Sequence, residues 1–376
     1  MNVPLIDLRA QYRTIAAEVQ QKIEEVLTTT RFIGGAEVKS FEAEFAAFCG
    51  VDHAVACGNG TDALELVLDA WGIGPGDEVI VPAVSWISTS EVVATRGATP
   101  VFVDIDPDTN CLDLEQTRAA LTPQTRAIIL VHLYGYPAPA AAFRRLADEH
   151  GCYLIEDSAQ AHGAITDGRT VGSVGHAATF SFFPSKSLGA YGDGGCVVTN
   201  DGRTAATVRA LANHGMPGRR HVHTLHGRNS RLDSLQAAVL RVKLRHLPAW
   251  LAQKRTLAER YANRLEPLTD GGTSPSVRLP PWPGGDSRHG AHLFAPRFAR
   301  RNDLADYLRA AGVATAVHYP TPLPLHVCYG REAAAATDYP VARALSSETL
   351  SLPLYAELPP QRVDDIADLI HKFYGA

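Results

Sequence analysis

The chain has 376 residues, a hydrophobic content of 45% and a formal net charge of −5. This length and hydrophobicity are enough for a sizeable core, and they predict two domains or one large domain with a smaller one attached. The mildly acidic balance lacks the electrostatic footprint of a nucleic-acid-binding protein, so we expect no nucleic-acid partner.

The first residues, MNVPLIDLRAQYR, contain no basic region followed by an apolar stretch, because Asp7 and Arg9 interrupt the one candidate. We therefore predict no signal peptide. No apolar run approaches the roughly 20 residues that span a bilayer, so we expect no membrane partner. The six cysteines form no C-x-x-C pair, and several lie in apolar, strand-like contexts. They indicate reduced core thiols and a cytoplasmic protein.

Short apolar strands alternate with helical patterns between about residues 50 and 200. HAVACGNG predicts a strand followed by a turn, and the further predicted strands are EVIVP, PVFVDI, AIILVHLYG and CYLIED. Between them, TDALELVLDAWG predicts a helix that Gly72 ends, and AAAFRRLADEHG predicts another. This alternation predicts an α/β fold with a mostly parallel, doubly wound sheet. In such sheets ligands bind outside the carboxyl ends of the strands.

The pattern changes near residue 245. A long helical region, RLDSLQAAVLRVKLRHLPAWLAQKRTLAERYANRLEPL, is predicted with a break at Pro248. A Pro/Gly-rich loop follows, then a helix over Asp303–Ala311, a strand leading into HYP, and two terminal helices. We therefore predict a large domain over residues 1–245 and a smaller C-terminal domain over residues 246–376.

Lys186 is the first candidate for chemistry. In TFSFFPSKSLGAYGDGG it follows an apolar strand and precedes a glycine-rich turn. A lysine amine against an apolar wall is desolvated, which lowers its pKa and makes it a nucleophile towards aldehydes. A lone lysine in a loop is more commonly a solvated surface side chain, so this segment alone leaves both interpretations open.

Asp157 falls just past a buried strand in CYLIEDSAQAHGA. A carboxylate at that point can pair with a pyridinium nitrogen and keep it protonated, as enzymes that use pyridoxal phosphate (PLP) require. The alternative role is a helix N-cap. Gln160 and His162 follow closely and could reach the same ligand.

The segment CGNGTDALELVL combines a glycine turn with a helix whose N-terminal amides can bind a phosphate, and Thr61 adds a hydroxyl. It also matches G-x-G-x-x-A, a variant of the dinucleotide fingerprint, so a nicotinamide site is the rival hypothesis. That site needs an acidic residue at the end of the next strand. Here Glu78 begins that strand and Pro82 ends it, which favours a single phosphate.

Two further segments carry weaker signals. Trp86, in VPAVSWISTSEVV, could stack on a flat heteroaromatic ring or belong to the core. Asn229 and Arg231, in GRNSRLDSLQAAVL, are polar residues that open an amphipathic helix, and in isolation they indicate a helix start.

A metal site is disfavoured. Four histidines lie close together in the chain: His214, His221, His223 and His226. No cysteine joins them, and their segment is rich in arginine and glycine. The chain also contains neither G-x-S-x-G nor H-E-x-x-H.

Taken together, the motifs resemble the DegT-type (StrS-like) nucleotide-sugar aminotransferase family, which are fold-type I PLP enzymes. The resemblance spans nearly the whole chain, through VPLIDLRAQY, GNGTDAL, VHLYGYPA, EDSAQAHGA, SFFPSKSLGAYGDGG, GRNSRLDSLQAA, HYPTPLPLH and LSLPLY. It implies a PLP cofactor, a large domain with a mostly parallel sheet of the seven-stranded type, and a smaller C-terminal α+β domain.

The resemblance also implies roles for residues around the cofactor ring. Lys186 would hold the cofactor as a Schiff base and act as the proton shuttle. Asp157 would bind the pyridinium nitrogen, Gln160 the phenolic oxygen, and Trp86 would stack on the ring.

The phosphate, by the same resemblance, would be held by Gly60, Thr61 and Ser181. Asn229 would reach the site from a second subunit, which implies a homodimer with active sites at the interface. Three residues match segments that approach the nucleotide-sugar in relatives: Arg231, His318 and Tyr319.

The implied reaction transfers an amino group to a nucleotide-linked keto-sugar, with glutamate as donor. A family branch that removes a hydroxyl carries histidine at the Schiff-base position, so Lys186 argues for amine transfer. GNGTDAL favours a 3-keto sugar, whereas a 4-keto sugar and a cyclitol ketone stay open. Ser187 and Tyr136 depart from the common pattern and bear on the substrate.

A non-catalytic PLP-binding regulator is the alternative class of protein. Such a protein would contain a DNA-binding segment and a basic face.

Overall fold

The computed structural model describes residues 1–218, 221–269, 276–330 and 338–375. Within these ranges the α-helices are α1 (Leu8–Thr29), α2 (Ala36–Cys49), α3 (Gly60–Ala70), α4 (Ser88–Thr95), α5 (Leu114–Ala120), α6 (Ala140–His150), α7 (Gly202–Leu211), α8 (Ser234–Leu265), α9 (Arg301–Ala310), α10 (Pro340–Glu348) and α11 (Pro360–Tyr374). The strands are β1 (His53–Cys57), β2 (Glu78–Pro82), β3 (Thr99–Val103), β4 (Thr125–Val131), β5 (Tyr153–Asp157), β6 (Ile165–Thr166), β7 (Arg169–Thr170), β8 (Ala177–Ser181), β9 (Gly195–Thr199), β10 (Val277–Arg278) and β11 (Arg297–Phe298).

The centre of the fold is a seven-stranded sheet in the order β1-β9-β8-β5-β4-β2-β3. The pairs β3–β2, β2–β4, β4–β5 and β5–β8 are parallel, and β9 runs antiparallel to both of its neighbours. This confirms the predicted α/β fold with a mostly parallel sheet. The turn that carries Lys186 lies between β8 and the reversed strand β9, at the carboxyl end of β8.

The sheet is buried on both faces because helices cover it. Alternate residues of the central strands point into opposite layers. Val79 and Ile129 pack into one apolar cluster, whereas Ile80 and Ile128 pack into the cluster on the other face. Each such side chain, fully removed from water, stabilises the fold by about 1.5–3 kcal/mol. The near-continuous apolar character of the strands follows from this double cover.

Helix α3 begins directly after β1 because its N-terminus is capped. The Asn59 side chain accepts a hydrogen bond from the amide of Asp62 at 2.8 Å. Leu64 and Val67 lie on its buried face. Gly72, two residues past the helix, takes a φ of +66°, a left-handed conformation that favours glycine. The predicted helix and its predicted end are both confirmed.

Helix α8 continues through Pro248, so the predicted break is wrong. A proline inside a helix removes one backbone hydrogen bond and costs about 3 kcal/mol or more. Packing offsets this cost, because Leu247, Trp250 and Leu251 beside it are all buried. The domain boundary predicted at residue 245 falls within α8, and the division into residues 1–245 and 246–376 stays a prediction.

The C-terminal region combines α9, α10 and α11 with the short pair β10–β11. The helix predicted from Asp303 begins at Arg301, and both predicted terminal helices are confirmed. The strand predicted before Tyr319 is wrong. Val313 and Ala316 instead make isolated bridges to different segments, so no continuous ladder forms. Among the helices in the described ranges, none is both long and apolar enough to cross a membrane.

Candidate active site

The candidate site lies where three neighbouring segments leave the carboxyl edge of the sheet. Asp157 ends β5, the turn with Lys186 follows β8, and Trp86 lies in the loop after β2. Parallel strands place their carboxyl ends on one edge, which is the usual position of ligands in such folds. The sheet therefore brings together residues that are far apart in the chain.

Lys186 sits in a tight turn that permits no side chain at one position. A Cβ on Gly189 would lie 2.3 Å from the carbonyl oxygen of Pro184. Among the described residues, no acceptor lies within hydrogen-bonding distance of Lys186 Nζ. Burial lowers the pKa of Lys186 to about 8, with Asp157 acting in the opposite direction. The amine is therefore held partly neutral, as a nucleophile must be.

Asp157 is a buried carboxylate with two donors. Its Oδ2 accepts from the Thr89 hydroxyl at 2.9 Å, and its Oδ1 accepts from the Ala159 amide at 3.2 Å. Burial raises its pKa, whereas these donors and Lys186 lower it. A turn rather than a helix follows Asp157, so the alternative role as a helix N-cap does not apply.

The neighbouring carboxylate, Glu156, points to the opposite face of the sheet, as strand geometry requires. It accepts from Nε2 of His132 at 3.0 Å and from the amides of Gly172 at 3.0 Å and Gly175 at 2.6 Å. Although burial raises the pKa of Glu156, these partners together hold it below its usual value. Of the two adjacent carboxylates, Asp157 alone faces the candidate site.

Gln160 is held in one orientation by its neighbours. Its Oε1 accepts from the backbone amide of Tyr134 at 2.7 Å, and its Nε2 donates to the hydroxyl of Tyr319 at 2.9 Å. The Tyr134 hydroxyl in turn donates to the carbonyl oxygen of His318. One of the two Nε2 hydrogens of Gln160 stays available for an oxygen of a bound ligand.

The start of α3 closely approaches the end of β8, and we call Gly60, Thr61 and Ser181 at this point the phosphate cradle. A Cβ on Gly60 would lie 2.7 Å from Cβ of Ser181, so this approach requires glycine. Thr61 Oγ1 lies 2.7 Å from the hydroxyl of Ser88. The amides of Gly60 and Thr61, at the start of α3, have no partners within the helix, and with the helix dipole they favour an anion.

Trp86 has a side chain that is 58% exposed, so it does not belong to the core. Its ring centroid lies 6.0 Å from that of Tyr319, at a tilt of 49°. His162, by contrast, packs in the interior 5.2 Å from the ring of Phe180, and burial lowers its pKa to about 3. Trp86 therefore offers an accessible apolar face next to Gln160 and Tyr319.

Among the residues expected to meet the sugar, His318 and Tyr319 lie at the site. Nδ1 of His318 lies 2.8 Å from the hydroxyl of Ser351, and burial lowers the pKa of His318 to about 4. The imidazole is therefore neutral near pH 7.

Asn229 and Arg231 are exposed and contact Asn213 instead of the residues above. Ser230, between them, accepts from the amide of Gly58 at 3.0 Å and donates to Asp62 at 2.6 Å. The segment therefore lies beside the phosphate cradle, while its two predicted site residues make no contact with Lys186 or Asp157 within one chain.

The histidine cluster makes internal contacts. Nδ1 of His223 lies 2.8 Å from the carbonyl oxygen of His214. In the part of the chain that the structure describes, no group of three His, Cys, Asp or Glu side chains is arranged to hold a metal ion.

Sequence reasoning missed three residues of the site. Thr89 donates to Asp157, Ser85 contacts Thr89 at 2.7 Å, and the amide of Tyr134 fixes Gln160. Thr89 and Ser85 follow β2 at the carboxyl edge, in the same segment as Trp86. Position after a strand was therefore a usable signal, whereas a backbone donor such as Tyr134 leaves no trace in the residue type.

These residues fit PLP. The amine of Lys186 can meet an aldehyde, and the carboxylate of Asp157 can meet a protonated ring nitrogen. The cradle at Gly60 and Ser181 can take a phosphate, and Trp86 can cover the ring. The fold and site together define a PLP-dependent enzyme of the aminotransferase class.

The chain belongs to the DegT/DnrJ/EryC1/StrS aminotransferase family, whose model matches residues 13–371. A transaminase from Streptomyces venezuelae, named for dTDP-3-amino-3,4,6-trideoxy-alpha-D-glucose, is 43% identical over 371 residues, or 99% of this chain and 96% of that protein. The UDP-N-acetyl-3-dehydro-alpha-D-glucosamine 3-aminotransferase of Acidithiobacillus ferrooxidans is 43% identical over 370 residues, 98% of this chain and 97% of that protein.

A protein from Geobacillus stearothermophilus, named pleiotropic regulatory protein, is 42% identical and covers 100% of this chain and 99% of its own. Among solved structures, S. venezuelae DesV in complex with a ketimine intermediate superposes with a TM-score of 0.95 at 42% identity, and the match covers 100% of this chain and 99% of that one. The chain is thus a transaminase, and its cofactor is PLP.

Proposed function

We propose that this enzyme transfers the amino group of glutamate to the 3-keto group of a nucleotide-linked sugar, which gives an amino sugar. The observation that carries the proposal is the buried Lys186 amine, which has a lowered pKa and no acceptor among the described residues, next to the Asp157 carboxylate. The names of the relatives from S. venezuelae and A. ferrooxidans support a 3-amino or 3-keto nucleotide sugar as substrate class.

When bound, PLP supplies an aldehyde and an electron-withdrawing ring. Lys186 would hold the cofactor through its amine, which must be neutral to bind an aldehyde. When its amine is free, Nζ would act as general base towards the α-carbon proton of the donor and then as general acid. Asp157 would keep the ring nitrogen protonated, and Gln160 would donate from Nε2 to an oxygen of the ring. Trp86 would exclude water from one face.

The substrate side follows from the residues at the rim. The Tyr319 hydroxyl accepts from Gln160, and Nδ1 of neutral His318 meets the hydroxyl of Ser351. The hydrogen of the Tyr319 hydroxyl and Nε2 of His318 can therefore exchange hydrogen bonds with sugar hydroxyls. Arg231 is an exposed cation beside the phosphate cradle and is suited to a diphosphate. We assign these three residues to the nucleotide-sugar.

We further propose that the active unit is a homodimer. In the single chain, several large apolar side chains are exposed to solvent, among them Phe32, Ile33 and Phe183. Exposed apolar surface of this kind favours contact with a second subunit. Asn229 is exposed near the phosphate cradle and can enter the site of a partner. The reduced cysteines, of which five are buried, support a cytoplasmic enzyme.

Two alternatives define the test. A 4-keto sugar or a cyclitol ketone would be aminated by the same residues, so substrate competition separates them from a 3-keto sugar. The second alternative is a PLP-binding regulator without catalysis, which the name of the G. stearothermophilus relative, pleiotropic regulatory protein, suggests. The lowered pKa of Lys186 favours catalysis over regulation.

The experiment incubates the purified holoenzyme with glutamate and dTDP- or UDP-linked 3-keto sugars, 4-keto sugars and a cyclitol ketone. We expect 2-oxoglutarate and an amino sugar, detected by mass spectrometry, with the 3-keto sugars. Lys186→Ala is the inactive control, and a gel shift with DNA tests the regulator. Turnover of the 4-keto sugars alone, or DNA binding without any turnover, would contradict the proposal.

The interface is tested by mixing two inactive variants, Lys186→Ala and Asn229→Ala. If Asn229 serves the partner's site, each mixed dimer has one intact site, and about a quarter of the activity should return because half of the dimers are mixed. If the mixture stays inactive while co-purification of differently tagged subunits shows mixed dimers, Asn229 acts within its own subunit.

A further inference from the structure

A buried lysine outside the reacting groups contacts the turn that carries Lys186. Lys254, on α8, is 8% exposed, and its Nζ donates to the hydroxyl of Ser187 at 3.4 Å and to the carbonyl oxygen of His292 at 3.3 Å. Burial lowers the pKa of Lys254 to about 7. Burying an ammonium is costly unless it is paired or well hydrogen-bonded, so its place calls for a specific role.

Lys254 joins two walls of the active site. On one side, Ser187 directly follows Lys186. On the other, the amide of His292 donates to the carbonyl oxygen of Tyr134 at 3.2 Å, and the amide of Tyr134 donates to Gln160 Oε1 at 2.7 Å. One amine, that of Lys254, therefore links the turn that carries Lys186, here called the lysine turn, to the segment that orients Gln160.

A second lysine on the same helix holds the other end of this turn. Lys243, about three turns earlier on α8, donates to the carbonyl oxygen of Gly189 at 2.7 Å and lies 4.3 Å above the ring of Tyr191. The lysine turn is thus tethered to α8 at Ser187 and at Gly189. The two contacts fix the turn directly after Lys186 and at its glycine.

A small charged cavity lies between these groups. It is lined by Lys186, Lys254, Asp7 and Glu357, among others. Glu357 Oε1 is buried and has no hydrogen-bond partner among the described residues. Its carboxylate supplies the opposite charge across the cavity from Lys254, which reduces the cost of keeping that ammonium buried.

We propose that Lys254 is a positioning residue for transamination: it sets the distance between the amine of Lys186 and the wall that carries Gln160. It acts through Ser187 and His292 and does not touch the reacting atoms. The inference rests on the proposed function for its kinetic readout, and on cofactor attachment to Lys186 for its spectroscopic one.

The test compares Lys254→Met, which keeps the length of the side chain without donors, with Lys254→Gln, which keeps a donor. Ser187→Ala is a smaller change that removes the hydroxyl that Lys254 contacts. It replaces Lys254→Met in the test if that variant does not fold. Lys372→Met, on the exposed part of α11, is the matched control. Each variant is measured for the rate at which PLP attaches to the apoenzyme, for borohydride trapping on Lys186, and for the glutamate half-reaction.

We expect Lys254→Met to keep its melting temperature within a few degrees and to slow attachment and the limiting half-reaction rate by about 100-fold, as a misplacement near 1 Å can do. The glutamate concentration at half-maximal rate should change less than threefold, and Lys254→Gln should recover part of the rate. Wild-type rates in folded Lys254→Met and in Ser187→Ala would overturn the proposal. If wild-type enzyme attaches PLP but ignores glutamate, the proposed function fails, and the attachment rates still decide the role of Lys254.

Discussion

The hydroxyl of Thr89 donates to Oδ2 of Asp157 across 2.9 Å, and the hydroxyl of Ser85 lies 2.7 Å from Thr89. A threonine hydroxyl has one hydrogen, and Thr89 gives it to Asp157, so Ser85 must be the donor to Thr89. The result is a short chain of hydrogen bonds that ends on the carboxylate that we propose for the ring nitrogen of the cofactor. Thr89 thereby fixes the carboxylate at the carboxyl end of β5.

Replacing Thr89 with valine should therefore weaken catalysis without unfolding the protein. The change keeps the shape and removes a hydrogen bond to a charged group, which contributes about 1.5–3 kcal/mol. We expect the glutamate half-reaction to slow by about 10- to 100-fold, measured by stopped-flow absorbance. Thr117→Val is the control, since the buried Thr117 hydroxyl donates to the backbone carbonyl of Asp113, directly before α5. Equal rates in both variants would show that Thr89 does not support Asp157.

Adding one methyl group at Gly60 should loosen the cofactor. The new Cβ would lie 2.7 Å from Cβ of Ser181 and 3.1 Å from its Cα, so the backbone would have to move. Overpacking of this kind costs about 1–3 kcal/mol, and we expect Gly60→Ala to weaken PLP binding by about tenfold or more in equilibrium titrations. Gly74→Ala is the matched control, because its nearest neighbour is a carbonyl oxygen at 3.5 Å. Unchanged affinity in Gly60→Ala would remove Gly60 from the phosphate cradle.

Cofactor attachment should depend on pH with a midpoint near the pKa of Lys186, about 8. The neutral amine is the nucleophile, so the rate should rise as pH increases and level off above the midpoint. At pH 7 about a tenth of the amine is neutral, whereas an unperturbed lysine would be below about 0.1%. The measurement is the rate of PLP attachment to apoenzyme between pH 6.5 and 9.5. A rate that still climbs tenfold per pH unit at pH 9.5 would mean that burial does not lower this pKa.

The sequence was sufficient for the parts of the fold that depend on local pattern. Each apolar strand that alternates with a helix between residues 50 and 200 is present, and Asp157 stands at a strand end as expected. Lys186 was a candidate because its segment combines a strand, a lysine and glycines, whereas its role came from the family resemblance and stays a prediction. These signals depend on residues that are neighbours in the sequence, so they can be recognised without knowledge of the tertiary contacts.

What the sequence could not supply depends on tertiary contacts. Pro248 predicts a helix break, yet buried neighbours on α8 hold the helix together. The apolar residues before Tyr319 suggest a strand, but their partners lie in separate segments. Lys254 gives no signal in a helical pattern, because its partners, Ser187 and His292, are far away in the chain.

The central claim is that Lys186 carries PLP and transfers an amino group from glutamate. The most direct measurement is the absorbance spectrum of the purified protein with PLP, before and after glutamate, next to Lys186→Ala. The account predicts a yellow band that glutamate converts to a near-ultraviolet band with release of 2-oxoglutarate, and a variant that shows neither change. If no yellow band forms with fresh PLP, or if Lys186→Ala behaves as the wild type does, the assignment of Lys186 is wrong.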